Sequence, residues 1–109
     1  MGMIASHRRL LSLTSRKTDL ELQAQQIQQQ RTQLAVSTGN LFSGLTNLTP
    51  NSNEALQLQN QIAALQQTDK QLELGLRRID PQREAIVAEL EGLKKQIEKS
   101  IDFNYKGLA

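Results

Sequence analysis

The chain has 109 residues, of which 38% are apolar and 3% aromatic, with no cysteine and a formal net charge of +2. At roughly 100 to 200 residues per domain it holds one domain, and its apolar share lies below the roughly 45–50% of an ordinary globular one. A large rounded core is therefore not expected, and the missing cysteines exclude disulfides, thiol catalysis and thiolate metal sites while leaving the redox compartment open.

The first seventeen residues carry His7 and four cations, Arg8, Arg9, Arg16 and Lys17. These four are candidate docking residues for a protein partner. No aromatic residues interleave them and no long basic stripe continues them, which argues against nucleic acid. The short apolar patch of Met1, Met3 and Ile4 would hold a bilayer only marginally. His7, next to two arginines, reads as a solvated residue rather than a ligand or a base. No apolar run approaches the roughly 20 residues that span a membrane, so no transmembrane segment is expected. The opening MGMIAS is too short for the apolar core of a cleavable signal, and its cations follow the apolar residues instead of preceding them. Export, if it occurs, is expected without a cleaved leader, which tilts the expected location towards the cell surface or exterior rather than the cytoplasm.

A helix is predicted over about residues 6–47. With Leu10 at heptad position a, the d positions are Leu13, Leu20, Ile27, Leu34, Leu41 and Leu48, all Leu or Ile. Apolar residues sustained at a 3.5-residue period mark a helix that packs along a narrow seam. A loop over about 48–52 follows, because Pro50 lacks an amide hydrogen and biases Thr49 away from helix, while Asn51, Ser52 and Asn53 compete with the backbone for hydrogen bonds.

A second helix is predicted over about 53–102, with Ser52 or Asn53 as its N-cap and Glu54 placed well against the helix dipole. Starting from Ala55 at a, its seam residues are Leu58, Ile62, Leu65, Leu72, Leu76, Ile79, Ile86, Leu90, Leu93 and Ile97. The short connection makes the two helices antiparallel neighbours. At 1.5 Å per residue they would run about 60 and 75 Å. The loop length brings together a and d residues whose numbers sum to about 103, such as Leu41 with Ile62. Arg31 and Asp69 then occupy neighbouring layers; either they pair and fix the register, or both carry their charge out from the seam edge. The heptads run through Pro81 without a change of phase, so a continuous, kinked helix is expected there, a fresh helix starting at Asp80-Pro81 being the alternative. Residues 103–109 are expected to form a short tail. The fold class is all-α, a single antiparallel two-helix coiled-coil hairpin over 1–109.

Between Leu22 and Asn53 the only formal charge is Arg31, and glutamines fill the outer positions of the loop-proximal half. A glutamine can be buried against a neighbour without the desolvation cost of an ion if its amide is hydrogen-bonded. Leu22, Gln29 and Val36 lie on one line away from the seam, Leu74 points outward from the second helix, and Phe42, Phe103 and Tyr105 are further aromatic candidates. These seven are the candidate contacts between subunits. No Gly-rich phosphate loop, nucleophile–base pair or ligand cluster is present, and a two-helix rod offers no pocket of the usual size. Neither an enzyme nor a cofactor is expected.

The stretch from about Leu45 to Ile79, LTNLTPNSNEALQLQNQIAALQQTDKQLELGLRRI, resembles the small needle subunits of type III secretion systems. Pro50 matches the family's first turn proline, whereas Asn53 stands where the second is expected, and the second helix continues about twenty residues further than the family's. The two ends also resemble short uncharacterised bacterial coiled-coil proteins, and the shape is similar to the export-ATPase stalk proteins of the same machinery. The resemblance implies a secreted helical hairpin that polymerises into a hollow tube. The expectation is a self-assembling structural subunit of a filament or tube, a homo-oligomer whose main partner is itself. The alternative is a coiled-coil adaptor or stalk that docks on a larger secretion-type machine.

Overall fold

The two heptad stretches form two helices. The computed structural model describes residues 2–108, with side-chain environments for 4–103. Helix α1 spans Gly2–Thr46 and α2 spans Asn53–Leu108, giving an all-α hairpin. Leu, Ala, Gln, Glu and Lys supply helix propensity at low side-chain entropy cost. Thr14, Thr18, Thr32, Ser43 and Thr68 keep their place inside the helices by donating their hydroxyls to the carbonyl four residues earlier, at 2.7 to 3.1 Å.

The loop shows why the chain turns where it does. At the end of α1 the amides of Asn47 and Leu48 donate to the carbonyls of Gly44 and Leu45, tightening the last turn. The Ser52 amide then donates to the Thr49 carbonyl at 3.2 Å, closing a four-residue turn. Pro50 presets φ at its second position, and Asn51 takes a φ of 63° at the third, a left-handed conformation that asparagine tolerates well. Ser52 is the N-cap of α2: its Oγ accepts the Ala55 amide at 3.1 Å, and its carbonyl accepts the Leu56 amide at 3.0 Å. Asn53, the other candidate, is the first helical residue.

Helix α2 runs through Pro81 without interruption, so no new helix begins at Asp80. Proline removes the donor that would have served the Arg77 carbonyl, and both residues are exposed, which leaves that carbonyl to water. Arg83 Nη2 donates to Asp80 Oδ1 at 3.3 Å across the same turn. The expected tail from 103 is corrected: α2 continues to Leu108. The seam residues end at Ile97, but from Ser100 to Lys106 there is neither Gly nor Pro, and a helix stops at a backbone signal rather than where its buried stripe ends.

Packing divides the chain into two compact units, Met1–Gln23 with Ile79–Ala109 (unit 1) and Ala24–Arg78 (unit 2). In unit 1 the heptad residues Leu13, Leu20, Ile79, Ile86 and Leu90 are buried, each at most 9% exposed, and Leu93 and Ile97 are half-buried. In unit 2 only Ala55 and Ile62 reach that level among the described residues. Ile27, Leu34, Leu41, Leu48, Leu58, Leu65, Leu72 and Leu76 are half-buried. Two close approaches give the register of unit 2. A methyl group at Gly75 would lie 3.3 Å from Ile27 Cδ1, and one at Gly44 would lie 3.7 Å from Leu58 Cδ1. Both pairs sum to 102, within one residue of the spacing expected from the loop.

Candidate interaction surface

In unit 2 the a positions facing Leu34, Leu65 and Leu72 are Asp69, Thr38 and Arg31, residues that cannot fill an apolar layer. Arg31 meets Asp69 with two parallel bonds, Nε to Oδ1 at 2.8 Å and Nη2 to Oδ2 at 3.2 Å. The two-pronged geometry suits a planar guanidinium and a carboxylate and fixes orientation as well as charge. The long arginine side chain thus bridges to the neighbouring layer. Both side chains remain about a third exposed, at 31% and 38%, so solvent screens the pair even though it sits at the seam. The hydrogen bonds to Asp69 raise the Arg31 guanidinium above its ordinary pKa, against partial desolvation. The bonds from Arg31 hold the Asp69 carboxyl below the usual carboxylate value, again against desolvation.

Beside this pair, unit 2 carries an open groove of about 580 Å³. Its walls include Leu34, Ala35, Gly39 and Phe42 of α1 and Leu65 and Gln66 of α2, with Arg31 and Asp69 at one side. The groove exists because Ala35 and Gly39 are too small to cover the space next to the half-buried seam, while Phe42 stands at 47% exposure above it. A methyl group built on Gly39 would meet nothing within 4 Å. The only charges on the groove walls are Arg31 and Asp69, which neutralise each other. Such a surface recognises an uncharged apolar side chain or helix face and holds no nucleophile–base pair. Sequence reasoning found Phe42 but missed Ala35, Gly39 and Gln66 as its neighbours. Neither helix's sequence carries a signal for them by itself, because Ala35 and Gly39 belong to α1 and Gln66 to α2.

The other expected contact residues are distributed between the units. Val36, Leu74 and Gln29 are exposed on unit 2, whereas Leu22 and Phe103 are exposed on unit 1. Tyr105 lies outside the described side chains. Of the four candidate docking cations, Arg8 and Arg16 are exposed. Arg9 donates from Nη2 to Glu89 Oε2 at 3.1 Å, and Lys17 is half-buried at a seam position with Nζ 3.8 Å from Glu21 Oε1. Arg9 also remains exposed, with its side chain at 60%.

Among the described residues, no group of three or more His, Asp or Glu side chains is placed to hold a metal ion, and no helix is long and apolar enough to cross a membrane. Comparison of the chain with protein-family models, with curated proteins and with solved structures finds no match.

Proposed function

We propose that the protein is a structural subunit that assembles laterally with copies of itself into a filament or tube. The observation that carries this reading is the character of α1 within unit 2, where exposed Val36 and Phe42 stand on a stretch whose only charged residue is Arg31. A solvated coiled-coil surface normally alternates acidic and basic residues. A repeated contact that joins two different faces without closing produces a helical polymer. The resemblance of residues 45–79 to secretion needle subunits agrees with this, and would place the assembly at the cell surface or outside it.

Negative-stain microscopy and light scattering of the pure protein over a range of concentration and salt test the proposal. Elongated polymers that grow with concentration are expected, and Val36→Glu is expected to abolish them while far-ultraviolet circular dichroism stays unchanged. Discrete small particles under every condition would overturn the filament reading in favour of an adaptor docked through its basic end, Arg8, Arg9, Arg16 and Lys17.

A further inference from the structure

We infer that the groove of unit 2 is a self-recognition site, in which α1 of one copy packs antiparallel against α1 of a second copy around Gly39. This rests on the self-assembly reading only in taking a second copy as the occupant. It adds a particular two-fold contact, a dimer that can exist whether or not filaments form.

Three observations converge on that occupant. The first is shape: the groove carries both a protrusion and the hollow to receive it on one helix face. Phe42 is a large side chain left 47% exposed on the groove wall, and the small residues Gly39 and Ala35 lie one and two turns away along the same wall. An isologous contact requires such self-complementarity, since residue i meets j and j meets i. An antiparallel pairing centred between Thr38 and Gly39 sets Phe42 of each copy against the partner subunit's Ala35.

The second is the space at Gly39. A glycine inside a helix is less favourable than alanine, because it loses more backbone freedom on folding. At Gly75 the close approach of Ile27 gives a reason within the chain for the missing side chain, whereas at Gly39, as at Gly92 in unit 1, an added methyl group would meet nothing within 4 Å. The two open glycines differ in their surroundings: Gly92 lies beside the ionic pair Arg9 and Glu89, and Gly39 lies on the wall of the neutral groove, where a second helix backbone has room to approach closely.

The third is charge. The groove's two ionic residues are already joined by two hydrogen bonds, so its outer face is neutral. A charged helix would have to lose water against that face without gaining a counter-ion, which costs free energy. Unit 1, with seventeen Asp, Glu, Lys and Arg residues, is a poor match, whereas unit 2 has seven and α1 within it has only Arg31. The neutral face that suits the groove is the same stretch of another copy.

Because the chain has no cysteine, single-cysteine variants report the contact cleanly. Under mild oxidation Gly39→Cys is expected to give a disulfide-linked dimer, while Val36→Cys, one position off this face, remains uncrosslinked. Gly39→Gln should shift sedimentation equilibrium from dimer to monomer without loss of helicity, because its side chain enters space that is open in the single chain. Phe42→Ala should weaken dimerisation at least tenfold, as expected for an aromatic anchor. Crosslinking at position 36 but not at 39 would overturn the groove contact and leave self-assembly through the outer face standing. A wild-type chain that sediments as a monomer at all concentrations would overturn both. A dimer unaffected by Gly39→Gln would also overturn the proposed contact.

Discussion

Units 1 and 2 share one heptad pattern and differ in what fills it. In unit 1 Leu or Ile occupies most seam positions, five of its residues are buried, and the outer surface is densely charged. In unit 2 the seam includes Ala24, Arg31, Thr38 and Asp69, so the leucines around them are only half-buried, and the outer surface is made largely of glutamine. A heptad repeat therefore specifies which residues face the partner helix, but the size and polarity of the a residues decide how much water is expelled. Both units leave large apolar side chains exposed, Ile4, Leu11, Leu22, Ile101 and Phe103 in unit 1 and Val36, Phe42, Leu56 and Leu74 in unit 2. Unit 2 differs in setting Phe42 beside an open, neutral groove, a surface suited to contact with another molecule.

The sharpest way to break this contrast is to remove one seam side chain from each unit. Ile86, 5% exposed in unit 1, is expected to cost about 2–5 kcal/mol on Ile86→Ala, combining lost transfer energy with a cavity. Leu34 in unit 2 already borders open space, so Leu34→Ala is expected to cost about half as much, because less apolar area leaves the interior. Urea unfolding of both variants at a concentration where the protein is monomeric measures the difference. Equal losses would mean that the two seams are equally well packed in solution and that the groove has no energetic meaning.

Much of this architecture was legible in the sequence for a simple reason: position along a 3.5-residue period is a local property. Leu13, Leu20, Ile62, Ile79, Ile86 and Leu90 could be assigned to the seam without coordinates, and Pro50 with its polar neighbours marked the turn. The choice between Ser52 and Asn53 as cap was not legible, because both side chains can accept the bond and only the local dihedral angles decide. The continuation of α2 beyond Phe103 was missed because the end of a seam was taken for the end of a helix. The groove was hidden for a different reason. It depends on the joint absence of bulk at Ala35 and Gly39 next to a seam layer occupied by Arg31 and Asp69, a property of two helices together that neither stretch displays alone. The pairing of Arg9 with Glu89, eighty residues away, is likewise a property of two helices together.

A smaller effect sharpens the contrast from the loop side. Ser52→Ala removes the acceptor for the Ala55 amide and is expected to destabilise by about 1 kcal/mol. Because Ser52 belongs to unit 2, the loss should appear first as faster hydrogen exchange in the opening turns of α2, with amides around Ile86 and Leu90 changed only to the extent that global unfolding is affected. Equal acceleration throughout would show that the units open together and that their different packing does not divide them dynamically.

The smallest expected effect concerns the polar layer that distinguishes unit 2. Asp69 has its pKa lowered in the folded state by the hydrogen bonds from Arg31, so the folded form binds that proton less readily than the unfolded form does. Its contribution is therefore present in full above the ordinary carboxylate value and is lost as pH falls through the lowered folded value. With both side chains about a third exposed, solvent screening keeps this contribution small. The stability advantage of the native chain over Asp69→Asn should hold steady near neutral pH and shrink on acidification below about 4, where carboxylates titrate. Chemical unfolding of the two proteins in parallel from pH 7 to pH 2, in dilute and in concentrated salt, measures that difference. An advantage that shrinks with acid and is further reduced by salt identifies a screened pair at the edge of the seam. A difference independent of both would mean that Arg31 and Asp69 act by filling space rather than by charge, and the polar layer would no longer set unit 2 apart.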